Sequence, residues 1–181
     1  RVSSGVFLAT SGGLGAPTYL TVAGGDSSVF ELDTGVVRNT GDHATEHFVF
    51  GSPQMDYLGD NDHAKRMFFN KTKGAFRAGM ADDDADSDEW NDANIGIYSA
   101  AFGANTVASG DFSFAGGDGS EASAYNSVAM AGGAASGDGS FAVGGADVSG
   151  QNSFGMGGDI VVSGDYSASF GFGTLASGLT S

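Results

Sequence analysis

The chain has no cysteine among its 181 residues, which excludes a disulfide framework and a thiolate metal site. That absence suits an extracellular fibre and a cytosolic protein equally. Only two prolines occur, Pro17 and Pro53, and glycine keeps no three-residue period, so a collagen helix is excluded. No stretch approaches the ~18 apolar residues of a membrane span. Positive charge is missing from more than half of the chain: Arg1, Arg38, Lys65, Arg66, Lys71, Lys73 and Arg77 are all of it. Residues 78–181 carry fourteen acids and no Lys or Arg, so −14 of the formal net charge of −15 lies there. Such a surface repels phosphate backbones and anionic lipid heads, and neither nucleic acid nor membrane insertion is expected. It suits an exposed, soluble rod or salty surroundings. The histidines stop at His63, so a serine in the C-terminal half has no base in its own chain and no nucleophilic catalysis is expected there. A start at Arg1 with no basic, apolar leader reads as part of a longer or processed product.

What is present is a repeat. Serines recur at Ser99, Ser113, Ser127, Ser140, Ser153, Ser167 and Ser181, with spacings of 14, 14, 13, 13, 14 and 14. Two residues on from the first six stand Ala101, Ala115, Ala129, Ala142, Gly155 and Ser169; four on stand Gly103, Gly117, Ala131, Gly144, Gly157 and Gly171. A second small cluster follows in each unit, as in Ala108-Ser109-Gly110 and Ala135-Ser136-Gly137. A phase kept over six units marks a repeat architecture, and it excludes low-complexity disorder and nine-residue calcium rolls. A period near 14 holds two short strands and two turns.

Along Ser-x-Ala-x-Gly the side chains alternate between faces. The alternation predicts that Phe102, Phe114, Met130, Phe141, Phe154 and Phe170 point into a flattened coil. It places Ala101, Gly103, Ala115, Gly117, Ala129, Ala131, Ala142, Gly144, Gly155, Gly157 and Gly171 on an opposite face, where another backbone packs closely. Six units at ~4.8 Å give a rod of about 28 Å. One or two large residues per coil, at ~25 cal/mol per Å², fall short of the ~1–2 kcal/mol of entropy per ordered residue. Intertwined copies that bury their small faces together are therefore expected.

Residues 1–79 read as a β-rich N-terminal domain. Val6-Phe7-Leu8-Ala9, Tyr19-Leu20-Thr21-Val22, Val29-Phe30-Glu31-Leu32, Phe48-Val49-Phe50, Met67-Phe68-Phe69 and Ala75-Phe76-Arg77-Ala78 are strand-forming runs between turn-forming clusters. Residues 80–98 form an acidic loop and join, in which Trp90, Ile95, Ile97 and Tyr98 supply apolar surface to seal the first coil. Residues 99–181 are the repeat.

Three constellations carry candidate chemistry. Asp82, Asp84, Asp86 and Asp88 offer oxygen ligands to a calcium ion. As an EF-hand the loop lacks the turn glycine (Ser87) and the bidentate glutamate (Ala93), leaving a non-EF site or a solvated charged loop, which the composition favours. No other cofactor is expected. His43-Ala44-Thr45-Glu46-His47 matches a zinc-peptidase pattern, but Gly41 before it and Phe48-Val49-Phe50 after it argue for a turn entering a strand rather than the helix that chemistry needs. The basic residues between Lys65 and Arg77 suit ion pairs or an acidic-glycan contact. The repeat's acids, such as Asp111, Asp138 and Asp165, read as turn residues rather than a glycosidase pair. Tyr98, Phe112, Tyr125 and Tyr166 flank turns and are the candidate receptor contacts.

The units Ser99-Ala100-Ala101-Phe102-Gly103 … Ala108-Ser109-Gly110 and Ser127-Val128-Ala129-Met130-Ala131 … Ala135-Ser136-Gly137 resemble the head repeats of trimeric autotransporter adhesins. The lead-in Phe68-Phe69-Asn70-Lys71-Thr72-Lys73-Gly74-Ala75-Phe76-Arg77-Ala78-Gly79, with Trp90-Asn91-Asp92-Ala93-Asn94-Ile95-Gly96, resembles tail-fibre-like proteins of phages and their bacterial relatives. Many of those end in an endosialidase-type intramolecular chaperone that cuts itself off after a serine. Ser181 therefore reads either as such a mature end or as the start of a further repeat. The resemblance covers about residues 66–181. It implies an all-β fold whose repeat is a left-handed parallel β-roll of about six 13–14-residue units in an intertwined homotrimer. It further implies an extracellular, non-enzymatic role in a virion tail fibre or cell-surface appendage, with a cell-surface glycan or protein as receptor. Two other classes stay open: a self-assembling filament subunit joined end to end, and a fibre-borne polysaccharide depolymerase.

Overall fold

The computed structural model describes Tyr19–Leu20, Phe30–Asp33, Val36–Asn39, 47–52, Met55, 64–81 and 89–178. The chain divides into two compact units, Arg1–Glu46 and His47–Ser181. In the first, β1 (Tyr19–Leu20), β2 (Phe30–Asp33) and β3 (Val36–Asn39) form an antiparallel sheet. Two of these strands lie in runs expected to be extended. β3 was not expected, because only two valines precede Arg38 and Asn39. Val6-Phe7-Leu8-Ala9 lies outside the described residues.

The second unit is a β-solenoid of about six turns. It opens on β4 (Phe48–Phe50), β5 (Lys65–Asn70) and β6 (Ala75–Met80), which pair antiparallel. β6 then pairs in parallel with β7 (Ala100–Ala104). Strands assigned from sequence to an N-terminal domain ending at residue 79 are thus hydrogen-bonded into the solenoid's long sheet. That sheet continues through β9 (Phe114–Asp118), β11 (Val128–Met130), β13 (Phe141–Val143), β15 (Phe154–Gly158) and β17 (Ala168–Phe172). Each coil also gives a strand to a second parallel sheet: β8 (Val107–Ala108), β10 (Glu121–Ala122), β12 (Ala134–Ala135), β14 (Ala146–Val148), β16 (Ile160–Val162) and β18 (Leu175–Ala176).

The register corrects the expected orientation of the coil. Ala101, Ala115, Ala129 and Ala142 stack in line with Gly155 and Ser169. They are buried inside the chain's own coil, facing Ala108, Ala122, Ala135, Val148, Val162 and Ala176. Phe102, Met130, Met156 and Phe170 face outward. The small residues are therefore the core, not a face open to another chain. The reason is width: tight turns close a coil of 13 or 14 residues and bring its two sheets so close that little more than a methyl group fits between them. Where the long sheet offers only Gly155, the other side enlarges to compensate, and a Cβ at 155 would meet Val148 Cγ2 at 2.7 Å.

Gly103, Gly117, Ala131, Gly144, Gly157 and Gly171 lie near or just after the ends of the long-sheet strands with positive φ, and at Gly103 and Gly157 the carbonyl of the next coil comes so close that a Cβ has no room. At Gly157, with φ of 142°, a Cβ would lie 1.7 Å from the carbonyl oxygen of Gly171. Gly157→Ala is expected to lower stability by about 2–3 kcal/mol, since both the conformation and the carbonyl resist it. Equilibrium urea unfolding reads the effect.

A buried serine stands at each corner, and at Ser99, Ser127, Ser153 and Ser167 its hydroxyl donates to a main-chain carbonyl. Ser99 Oγ donates to the Gly96 carbonyl and Ser127 Oγ to the Ala124 carbonyl, each at 2.7 Å. At the N-terminal end, Phe68, Ala75, Ala81, Trp90 and Ile95 form a separate cluster. Trp90 Nε1 donates to the Thr106 carbonyl at 2.9 Å, which ties that cluster to the first turn. Of the four residues expected to seal that end, Trp90 and Ile95 are buried, whereas Ile97 and Tyr98 are exposed on a turn. No helix among the described residues is long and apolar enough to cross a membrane.

Candidate functional site

Two outward features set this solenoid apart from an inert rod. The first is the outer face of the long sheet. On each strand two positions point out, and in coil order they hold Phe76 and Ala78, Ala100 and Phe102, Phe114 and Gly116, then Val128 and Met130. Phe141 and Val143, Phe154 and Met156, and Ala168 and Phe170 continue the face. None of the outward positions named here carries a charge, although the formal net charge is −15. Bulky and small residues trade places along it, and the rings meet neighbours in adjacent coils: Phe76–Phe102, Phe102–Phe114, Phe141–Phe154 and Phe154–Phe170 lie 5.1–5.9 Å apart between centroids. Phe102, Met130, Met156 and Phe170 are exposed, whereas Phe114, Phe141 and Phe154 are half-buried. Sequence reasoning placed these side chains inside; parity along Ser-x-Ala-x-Gly identified the set and left its direction open.

The second feature is the corner where each coil passes from the short sheet to the long one. The four candidate receptor residues all stand there, 49–62% exposed. Tyr98 and Phe112 lie 5.2 Å apart between ring centroids and Phe112 and Tyr125 5.5 Å, so three consecutive coils carry a ridge of rings. Tyr166 stands further along the same corner. The corner is stitched by main-chain bonds from one coil to the next, such as Phe112 N to the Ile97 carbonyl and Tyr166 N to the Gln151 carbonyl. Carboxylates cap alternate coils: Asp111, Asp138 and Asp165 accept from the main-chain N–H groups of Ile97, Tyr125 and Gln151. These acids engage the turns, in keeping with their reading as turn residues.

Asp82, Asp84, Asp86 and Asp88 lie outside the described residues, as do His43, Glu46 and His63. Among the described residues no group of three or more His, Cys, Asp and Glu side chains is placed to hold a metal ion. His47 is exposed, immediately precedes β4, and its Nδ1 accepts from Lys71 N at 3.1 Å.

The basic residues do not form one patch. Lys65 and Lys71 are exposed, whereas Arg66 and Arg77 are buried. Lys73 pairs with the Asp92 carboxylate at 3.3 Å and donates to the carbonyls of Asp92 and Ile95. Arg77 occupies the inward position that alanine holds in the following coils. It donates to the carbonyls of Phe76, Ser99 and Ala108 and to Ser99 Oγ. Desolvation lowers its pKa to about 10, so it remains charged at neutral pH. The guanidinium acts as a polar plug at the first coil, held by main-chain oxygens.

No protein family, characterised protein or solved structure matches this chain. Its functional reading therefore rests on its own surfaces.

Proposed function

We propose that this chain is a structural, adhesive segment of an extracellular fibre that works as a homotrimer. In this reading the long sheet's outer face is the surface between subunits, and the corners remain free to meet a receptor. The observation that carries it is the displaced hydrophobic content. The interior of the coils is mostly alanine and serine, with Val148, Ile160 and Val162 its only larger apolar members among the described residues, while Phe102, Phe114, Met130, Phe141, Phe154, Met156 and Phe170 point outward. A contiguous apolar face of this length is uncommon on a monomer and marks an interaction surface. A lone coil with so small a core buries too little apolar area to offset its ordering entropy. A further copy of the same face supplies the missing burial, and a closed ring of copies leaves none exposed. The number three, the left-handed coil and the fibre or appendage setting follow from the resemblance to autotransporter heads and tail-fibre proteins.

The alternative reading is a filament of chains joined end to end. Light scattering on residues 1–181 separates the two. A mass of three chains, independent of concentration, is expected. Open-ended species that grow with concentration would move the assignment to the filament, and a folded monomer would remove both.

A further inference from the structure

The turn at each corner has the form Gly-X-X-Ser or Ala-X-X-Ser, and its second X lies in the left-handed region. Tyr98, Phe112, Asn126, Gly139, Asn152 and Tyr166 occupy that slot in successive coils, with φ between 52° and 67°. Glycine and asparagine take this conformation at little cost, and three of the six coils use them. Tyrosine or phenylalanine does not, because a bulky side chain on a left-handed residue crowds the backbone. Three coils nonetheless carry an aromatic ring there, and those rings remain half exposed. At Tyr98 and Phe112 contact with neighbouring rings offsets part of that cost, but at Tyr166, which has no ring beside it among the described residues, folding alone selects against the choice. Backbone strain held at an exposed aromatic side chain points to a surface maintained for contact.

The chemistry of the corner selects the partner. Tyr98, Phe112 and Tyr125 form the ridge, with centroid steps of 5.2 and 5.5 Å, close to the length of one sugar in an extended pyranose chain. Gly139 then leaves a notch, beyond which Tyr166 rises again. The notch is bordered by Gln151 and Asn152, whose side-chain amides are exposed and make no hydrogen bond to the described residues. Amides and phenols pair with uncharged hydroxyl groups as both donors and acceptors, and ring faces pack on the C–H faces of sugars. No Lys or Arg follows Arg77, so an anionic glycan finds no counter-charge along this corner. We propose that the corner from Tyr98 to Tyr166 binds an extended neutral polysaccharide laid along the solenoid axis. This deepens the adhesive reading and rests on it for the role of the contact, but the site itself lies within one chain.

The test uses the full 181-residue chain and three soluble neutral polymers: a β-glucan, a mannan and a chitin oligosaccharide. Tyr166→Asn, in the slot with no adjacent ring, is expected to raise Tm by about 2–4 °C as the strain is relieved. Phe112→Asn combined with Tyr125→Ala is expected to weaken affinity-gel retardation by at least one polymer tenfold or more, with the native mass unchanged. A lower Tm for Tyr166→Asn would show that the ring serves the fold and would overturn the proposal. So would retardation by none of the three polymers, or retardation undiminished in the double variant. If the wild-type chain proves monomeric yet loses binding on the double substitution, the corner site stands and the trimeric fibre falls.

Discussion

Ala122→Leu is expected to destabilise the protein by about 3 kcal/mol, while Glu121→Leu, one residue away, changes stability by no more than about 0.5 kcal/mol. Ala122 is fully buried, in line with Ala108 and Ala135 between the two sheets. Three additional carbons at that position must push the sheets apart. Because coils are bonded above and below, the displacement is shared with Ala108 and Ala135 rather than absorbed locally. Glu121 points outward from the same two-residue strand and meets solvent. Urea denaturation of the two variants measures the contrast. Tolerance of leucine at 122 would mean that the coil is wider than the alanine column implies, and the argument for the exported hydrophobic face would fail with it.

If the chain forms the proposed trimer through the long sheet's outer face, Phe102→Asp combined with Met156→Asp is expected to yield single chains. The two side chains are outward on β7 and β15, 41% and 48% exposed in one chain. They occupy equivalent register positions, Phe102 through Gly116, Met130 and Val143 to Met156. In an assembly built on this face, each substitution buries a carboxylate without a partner. The cost is about 3–5 kcal/mol for each such charge, and the same charges repel their copies in neighbouring subunits. Within the chain they point to water, so the far-UV signature of β-structure is retained. Val161→Asp on the outer face of the short sheet, 41% exposed, serves as the control and leaves the mass unchanged. An unchanged mass for the double variant would remove the long-sheet face as the subunit contact.

These two results also separate what was legible in the sequence from what was not. The six-fold phase of Ser-x-Ala-x-Gly located every long-sheet strand of the repeat, and the second small cluster located the short-sheet strands. The four aromatics Tyr98, Phe112, Tyr125 and Tyr166 were recognised as exposed because they precede or flank turns. Arg77 stood in the strand-forming run Ala75-Phe76-Arg77-Ala78. Nothing local indicated that the guanidinium would plug the first coil, since its oxygen partners come from residues 76, 99 and 108. The ridge at the corner depends on the same kind of distance, because coils 13 or 14 residues apart stack their turns.

By itself, the sequence determined the period, the alternation, the all-β class and the one-sided charge, because each of these is a property of neighbours along the chain. Only the tertiary structure decided which side of the alternation faces inward. Two alternating sets, one small and one large, fit either assignment until the turns close the coil and set the distance between its sheets. That distance admits methyl groups and excludes rings. The large side chains of the repeat's long sheet are therefore on the outside.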